Sequence, residues 1–453
     1  MENKIVNGVI WKQILLFFFP IWFGTFFQQL YNTADAVIVG NFVGKEALAA
    51  VGATAVILNL LVGFFVGVAS GSSVIISQCY GSNDFQGVQD TVHTTMALSF
   101  VGGLLITIVG VLSVDACLNL IQIPADIFHE AKLYLSVCFL GMIPVFVYNM
   151  GTGILRAVGD SKRPLYFLIA ASITNIILDI VFVVYMHMGV LGVGLGTILS
   201  QLVSAILTMI SLCFSEECYR FEWKQMCFHW PIMKKIFHIG LPAGLQSVMY
   251  SLSNIVVQTS INSFGTDVVA AYTAYSKIDT IFWMTMNSFG LSITTFVGQN
   301  FGAGRYDRVK KGIWQCTGLA FLTTLGLLAV ILPFGSYFYH IFIQDAYVIE
   351  LGMDILYFLA PIWPSYILIE TLSGGVRGTG DSIIPMIMTC SGVCVVRVLW
   401  ILGIAMPLWH TIKGVLMCYP ISWSLTSLMF LIYFLHGGWL RRRIRYCESQ
   451  KKS

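Results

Sequence analysis

The 453 residues carry 57% hydrophobic and only 10% charged side chains, with a net charge of +3 and a mean hydropathy of +0.81. Soluble domains hold roughly 25% charged residues, so this composition excludes a water-soluble globular protein. So small a positive charge gives no footing for nucleic acid, and no nucleic-acid partner is expected.

Residues 1–12 lack a short apolar core followed by a small-residue cleavage site, so insertion is expected to use the first membrane helix itself. A helix needs about 20 apolar residues to cross the hydrocarbon core. Uncharged runs at 13–39, 47–78, 92–115, 131–155, 164–187 and 190–214 give six spans, and runs at 236–264, 268–299, 312–336, 353–375, 383–407 and 412–438 give six more. The fold class is therefore an all-α polytopic membrane protein with twelve transmembrane helices in two lobes, 1–214 and 236–453. Between them, the polar and aromatic stretch 215–235 reads as a cytoplasmic, interfacial linker with room for an amphipathic helix. The second lobe ends in a basic cytoplasmic tail.

The lobes are copies. RAVGDSKRP at 156–164 recurs as RGTGDSIIP at 377–385, a shift of 221 residues. Gln78 and Gly81 recur as Gln299 and Gly302, Gly44 as Gly265, and Pro20 as Pro242 within one residue. Four separated landmarks in one register mean duplication, and duplication of this kind in a membrane protein points to a transporter with a site between its halves. An even number of spans per copy makes the lobes parallel, related by a pseudo-two-fold axis along the membrane normal. The duplicated loops read as structural. Gly159 and Gly380 permit tight turns, Pro164 and Pro385 suit helix starts, and Arg156 and Arg377 are expected to anchor at the headgroups.

With the N-terminus inside, 20 of the 25 Lys and Arg residues fall on the cytoplasmic side. Only Lys45, Lys132 and Lys413 fall outside, while Lys277 and Arg397 lie in spans. That bias orients the chain in the cell inner membrane with both termini cytoplasmic, and the tail RRRIRY reads as an anchor near anionic lipid. The eleven cysteines show no metal spacing and read as small packing residues; no cofactor is expected. Gly63, Gly67 and Gly71 recur four apart and suit close helix crossing. No GKS or GKT occurs, which argues against ATP-driven transport by this chain.

The informative residues are polar ones inside the spans, where a carboxylate is costly and usually does work. Asp35 lies in the first span and Asp179 in the fifth, with Asn175 one turn before it on the same face. Thr197 lies in the sixth. At 1.5 Å per residue these groups share one depth, roughly 7–12 Å below the outer surface. Tyr31 sits one turn below Asp35, and Tyr134 enters at the top of the fourth span. Two carboxylates in a low-dielectric setting call for a shared proton or a bound cation. The competing reading of Asp35 is a helix-end residue reaching the interface. The second lobe has Val256, Val396, Trp400 and Cys418 at the shifted positions, so it lacks this cluster. Its own polar residues, Lys277, Asp279, Glu370 and Arg397, read equally as a structural charge network or as substrate contacts.

The two-lobed plan, both copies of the RxxGDS loop, and QQLYNTADAVIVG at 28–40 together resemble the multidrug and toxic compound extrusion (MATE) family over essentially the whole chain. In that family's DinF-like branch, the first helix carries an aspartate, the fifth an Asn-x3-Asp pair and the sixth a threonine. Those match Asp35, Asn175 with Asp179, and Thr197 here; Tyr31 and Tyr134 match tyrosines of the same network, and Pro20 a proline where the first helix bends. The resemblance implies a monomeric secondary efflux transporter, not an enzyme. It would export amphipathic, often cationic small molecules in exchange for H⁺ or Na⁺, with Na⁺ held, if used, at Asp35 and Asp179. Gln28 and Asn149 become candidate substrate contacts. An alternative from related folds is a flippase for a lipid-linked saccharide, although only Lys277 and Arg397 supply positive charge in the membrane. A membrane-embedded enzyme fits less well, since no HxxxD or HExxH pattern occurs.

Overall fold

The computed structural model describes residues 3–452, and it is helical throughout. In the basic tail, the side chains of Lys451 and Lys452 lie outside the described residues. The chain divides into two compact units. One runs from Phe19 to Gly244; the other joins the residues up to Phe18 to those from Leu245 onward. Both borders therefore fall inside long helices, close to Pro20 and Pro242, rather than in the connector.

In chain order, a short α1 (Lys4–Asn7) precedes α2 (Ile10–Ile38), which widens into a π-helical turn at Val39–Val43. Then come α3 (Lys45–Gly81), α4 (Phe85–Leu120), α5 (Phe128–Leu140), α6 (Met142–Ala157), α7 (Lys162–Asp179) with a π-helical end at Ile180–Tyr185, and α8 (Gly189–Cys213). Helices α5 and α6 make one broken span, bent by 48°. The break falls at Gly141, and Pro144 in the first turn of α6 has no N–H to give to the preceding turn.

The second half follows the same order. It consists of α9 (Trp230–Asn262), α10 (Thr266–Gly302), α11 (Tyr306–Phe342), α12 (Ala346–Leu359), α13 (Trp363–Gly378), α14 (Ile383–Thr389), α15 (Val396–Trp400), α16 (Ile412–Leu416), α17 (Cys418–Leu435) and the tail helix α18 (Gly438–Lys452). A 3₁₀ turn at Ala360–Ile362 links α12 to α13, and π-helical turns at Cys390–Val395 and Ile401–Trp409 flank α15. Nine of the described helical spans are long and apolar enough to cross a membrane by themselves, and the bent α5–α6 pair makes a tenth. Helices α9 and α10, 33 and 37 residues long, complete the twelve; more polar residues interrupt them.

The duplication is written into the backbone. Helices α3 and α10, and α6 and α13, begin and end at positions related by the same shift of 221 residues. Gly44 and Gly265 have φ of 120° and 96°, Gly159 and Gly380 have 99° and 89°, and Asn83 and Gly304 have 58° and 70°. The GDS loop is a stop-and-start device. The positive-φ glycine ends one helix, and the next residue caps the following one. Asp160 Oδ1 accepts from the amides of Lys162 at 3.0 Å and Arg163 at 3.1 Å, and Asp381 Oδ1 accepts from Ile384 at 3.4 Å. Pro164 and Pro385 stand in the first turns of α7 and α14, as expected. Arg377 Nη2 donates to Gln246 Oε1 at 3.4 Å, and Arg156 is half-buried near the end of α6.

Within the N-terminal unit, Gly67 and Gly71 of α3 lie against Gly240 and Gly244 of α9, so close that a Cβ on Gly240 would stand 2.6 Å from the Val68 carbonyl oxygen. The connector has one 3₁₀ turn at Trp223–Gln225 and is seated on α4. His93 Nε2 accepts from the Glu222 amide at 3.1 Å, Thr94 Oγ1 accepts from the His229 amide at 3.2 Å, and Phe221 is buried.

Candidate functional site

Four helices of the N-terminal unit meet around two aspartates. Asp35 is on the last turns of α2, and Asn175 and Asp179 are on the last turns of α7, each just before its helix widens into a π-helical turn. Such turns are frequent at functional sites because they re-aim the side chains beside them. Helix α7 also reaches α2 through Ser172, whose hydroxyl donates to the Phe27 carbonyl. Asp35 faces both Asp179 and Asn175. Asp179 and Asn175 are fully buried, and Asp35 is half-buried.

Asp35 Oδ1, both carboxylate oxygens of Asp179 and both amide atoms of Asn175 are buried without a hydrogen bond of normal geometry. Tyr134, which faces both aspartates, belongs to a buried apolar cluster with Ile38, Val39, Ala47, Val183, Val190 and Val193. Leaving one buried polar group unsatisfied costs about 1–3 kcal/mol, more if charged. Four of the five unsatisfied atoms are acceptors and one, Asn175 Nδ2, is a donor, so the group is a concentration of acceptors that a proton or a small cation would satisfy.

Helix α8 makes the room. Gly196 packs on Asp179, and a Cβ there would collide with Asp179 Oδ1. Tyr31 is buried, and its hydroxyl pairs with Gln28 and Gln201 beside Asp35. Tyr134 is buried against Cys138 and faces both aspartates. Thr197 is on the same helix as Gly196, but its hydroxyl donates back to the Val193 carbonyl at 3.0 Å, so the carboxylates do not receive it in this state. Gln28 is exposed, and Asn149 stands apart: its amide donates to Val145 at 2.8 Å, and it lines a small hollow with Phe65, Phe146 and Met150. The structure thus brings together Asp35, Asp179, Asn175, Tyr31 and Tyr134. Sequence reading missed Gly196 and Gln201, although Gln201 follows Thr197 by one helical turn.

The C-terminal unit holds a different cluster. Asp279 accepts from Trp283 Nε1 at 2.6 Å and from the Tyr275 hydroxyl at 3.3 Å, and Trp363 Nε1 donates to Tyr275 at 3.3 Å. Glu370 accepts from the Tyr366 hydroxyl at 3.3 Å. Lys277 is exposed and makes no ion pair with Asp279, so the two do not form a charge network.

An all-helical chain of two duplicated six-span halves, with a carboxylate pair contributed by two different spans, defines a polytopic membrane transporter. Comparison with known proteins identifies which kind. The family profile described as MatE matches residues 20–181 and 242–401, once in each half. The chain belongs to the MatE family. It is 26% identical to "Probable multidrug resistance protein YoeA" of Bacillus subtilis (strain 168), over 98% of this chain and 97% of that protein. It is 27% identical to "Probable multidrug resistance protein YpnP" of the same organism, over 96% of each. Among solved structures, the outward-facing conformation of a multidrug resistance MATE family transporter of the MOP superfamily superposes with a TM-score of 0.90 at 22% identity, covering 100% of this chain and 99% of that one.

Proposed function

We propose that the chain is a cation-coupled antiporter of the DinF-like branch, exporting amphipathic, often cationic small molecules from the cytoplasm in exchange for H⁺ or Na⁺. The observation that carries this reading is the Asp35–Asp179–Asn175 cluster, with its five unsatisfied buried atoms beside the apolar cluster that contains Tyr134. The names of the relatives, multidrug resistance proteins, support the cargo class.

The mechanism follows from charge. With no cation bound, two facing carboxylates repel and hold polar atoms out of water at a cost. A proton shared between them, or a Na⁺ taking oxygens from both with Asn175, draws α2 toward α7. The cation and the cargo then favour different arrangements of α2, which is the condition for exchange. Pro20 removes one backbone hydrogen bond from α2, so that helix can bend there. Tyr31 and Gln201 orient the mouth of the site, Gln28 and Asn149 are cargo contacts, and Thr197 can turn from Val193 to the cation.

The same reading places lobes 1–214 and 236–453, joined by the interfacial linker 215–235, as a monomer in the inner membrane with both termini cytoplasmic. The test is export of rhodamine 6G from proteoliposomes under an imposed pH or Na⁺ gradient. Efflux driven by either gradient, and lost when both are collapsed, is the expected result. Efflux indifferent to both gradients overturns cation coupling.

A further inference from the structure

The C-terminal unit buries a cation with no anion beside it. Arg397 follows the π-helical turn Cys390–Val395 and is 1% exposed. Its Nη1 donates to Asn254 Oδ1 at 3.0 Å, and its guanidinium stands 4.6 Å from the centre of the Tyr419 ring. Its Nε has no partner. One turn beyond Tyr419 on α17, the Trp423 ring packs edge-on to Tyr419 at 5.1 Å, and its buried indole N–H is also without a partner.

No carboxylate neutralises Arg397: none of the described residues forms an ion pair with it. The two acids of this unit's interior are otherwise engaged, Asp279 by Trp283 and Tyr275, and Glu370 by Tyr366. Burying an unpaired guanidinium in a membrane span is costly and marks a site. An arginine fork with a free edge, held over the Tyr419 ring, and an indole donor beside that ring match a planar anion attached to an aromatic body. Asn254 is exposed, so the cluster reaches the unit's surface through it.

We propose that Arg397, Trp423 and Tyr419 form an anion-binding site that takes the carboxylate or phosphate of an aromatic amphiphile. The site would extend the cargo range from cations to zwitterions and anions, and only in calling that anion a cargo does it rest on the export reading.

Full-length protein in nanodiscs, titrated with fluorescein and with rhodamine 6G, tests this; the dyes share a xanthene core and differ in charge. Fluorescein should bind the wild type. Arg397→Gln should weaken it by about tenfold or more, the scale of a charge-assisted hydrogen bond, with rhodamine 6G binding unchanged. Arg397→Lys keeps the charge without the fork and should lose less. Trp423→Phe removes only the N–H and should lose about threefold, near the low end for one hydrogen bond. If Arg397→Gln does not fold by circular dichroism, the other two variants decide. Fluorescein affinity equal in wild type and folded variants, or no fluorescein binding at all, overturns the site. Competition by phosphatidylglycerol in mixed nanodiscs, against phosphatidylcholine alone, assigns the anion to a lipid headgroup; its absence assigns it to a soluble cargo. Loss of gradient-driven rhodamine 6G efflux would sink the export reading while leaving these binding results standing.

Discussion

Asp35 and Asp179 are the residues whose replacement separates coupling from folding. Asparagine keeps the shape and removes the titrating oxygen, so Asp35→Asn and Asp179→Asn should each abolish gradient-driven efflux. The thermal midpoint should not fall, since each relieves a buried charge. Efflux at the wild-type rate between pH 6 and 8 would remove that residue from the coupling site. Thr197→Ala should be milder, because it loses one neutral hydrogen bond worth roughly 0.5–1.5 kcal/mol. Gly196→Ala offers a test that replaces no polar group: its Cβ would collide with Asp179 Oδ1. Efflux should drop sharply while the protein stays folded, and unchanged efflux would show that Asp179 is free to move aside.

At the scale of elements, the crossing of α3 on α9 is tight enough to decide between two opposed effects. Gly240→Ala gains up to about 1 kcal/mol of helix propensity. The same Cβ would stand 2.6 Å from the Val68 carbonyl, and overpacking costs about 1–3 kcal/mol. The net change should be destabilising, read as a lower melting temperature in detergent; a rise would mean the helices part easily. A second element-scale device is the tail helix α18. Arg443 donates to the carbonyls of Thr379 and Gly380, both at 2.9 Å, closing the C-terminal end of α13. The repeated RxxGDS loop thus has an added clasp in the second half.

For the whole molecule, the two halves share a backbone and differ in chemistry. Glu370→Gln should change cargo handling at most and leave cation coupling intact, because Glu370 is hydrogen-bonded by Tyr366 and no second carboxylate shares its place. Loss of gradient-driven efflux in Glu370→Gln, with efflux retained in Asp35→Asn, would move the coupling site to the other half. Topology belongs to this scale as well. The basic stretch Arg305–Lys311, where Arg308 donates to the Gly8 carbonyl at 2.6 Å, should lie on the cytoplasmic side with the N-terminus. Cysteine-accessibility mapping that labels it from outside would reverse the orientation.

Span number, duplication, the glycine-ended loops and the polar positions of the first, fifth and sixth helices were all legible in the sequence. Each follows from a local rule: an apolar run must be helical in lipid, a positive-φ turn selects glycine, and a carboxylate in an apolar run needs a reason. The tertiary fold alone decided which of those polar groups meet. Asp35 turned out to face Asp179, while Thr197 bonds back to its own helix and Asn149 stands apart. Gly196 became a site residue only once α8 lay against α7, since a missing side chain carries no signal until a neighbour fills its space. Arg377 donates to Gln246, a partner 131 residues away that spacing along the chain does not reveal. Spacing along one helix fixes a side chain's depth and face; the partner across the interface depends on how neighbouring helices pack, and packing is a property of pairs of segments.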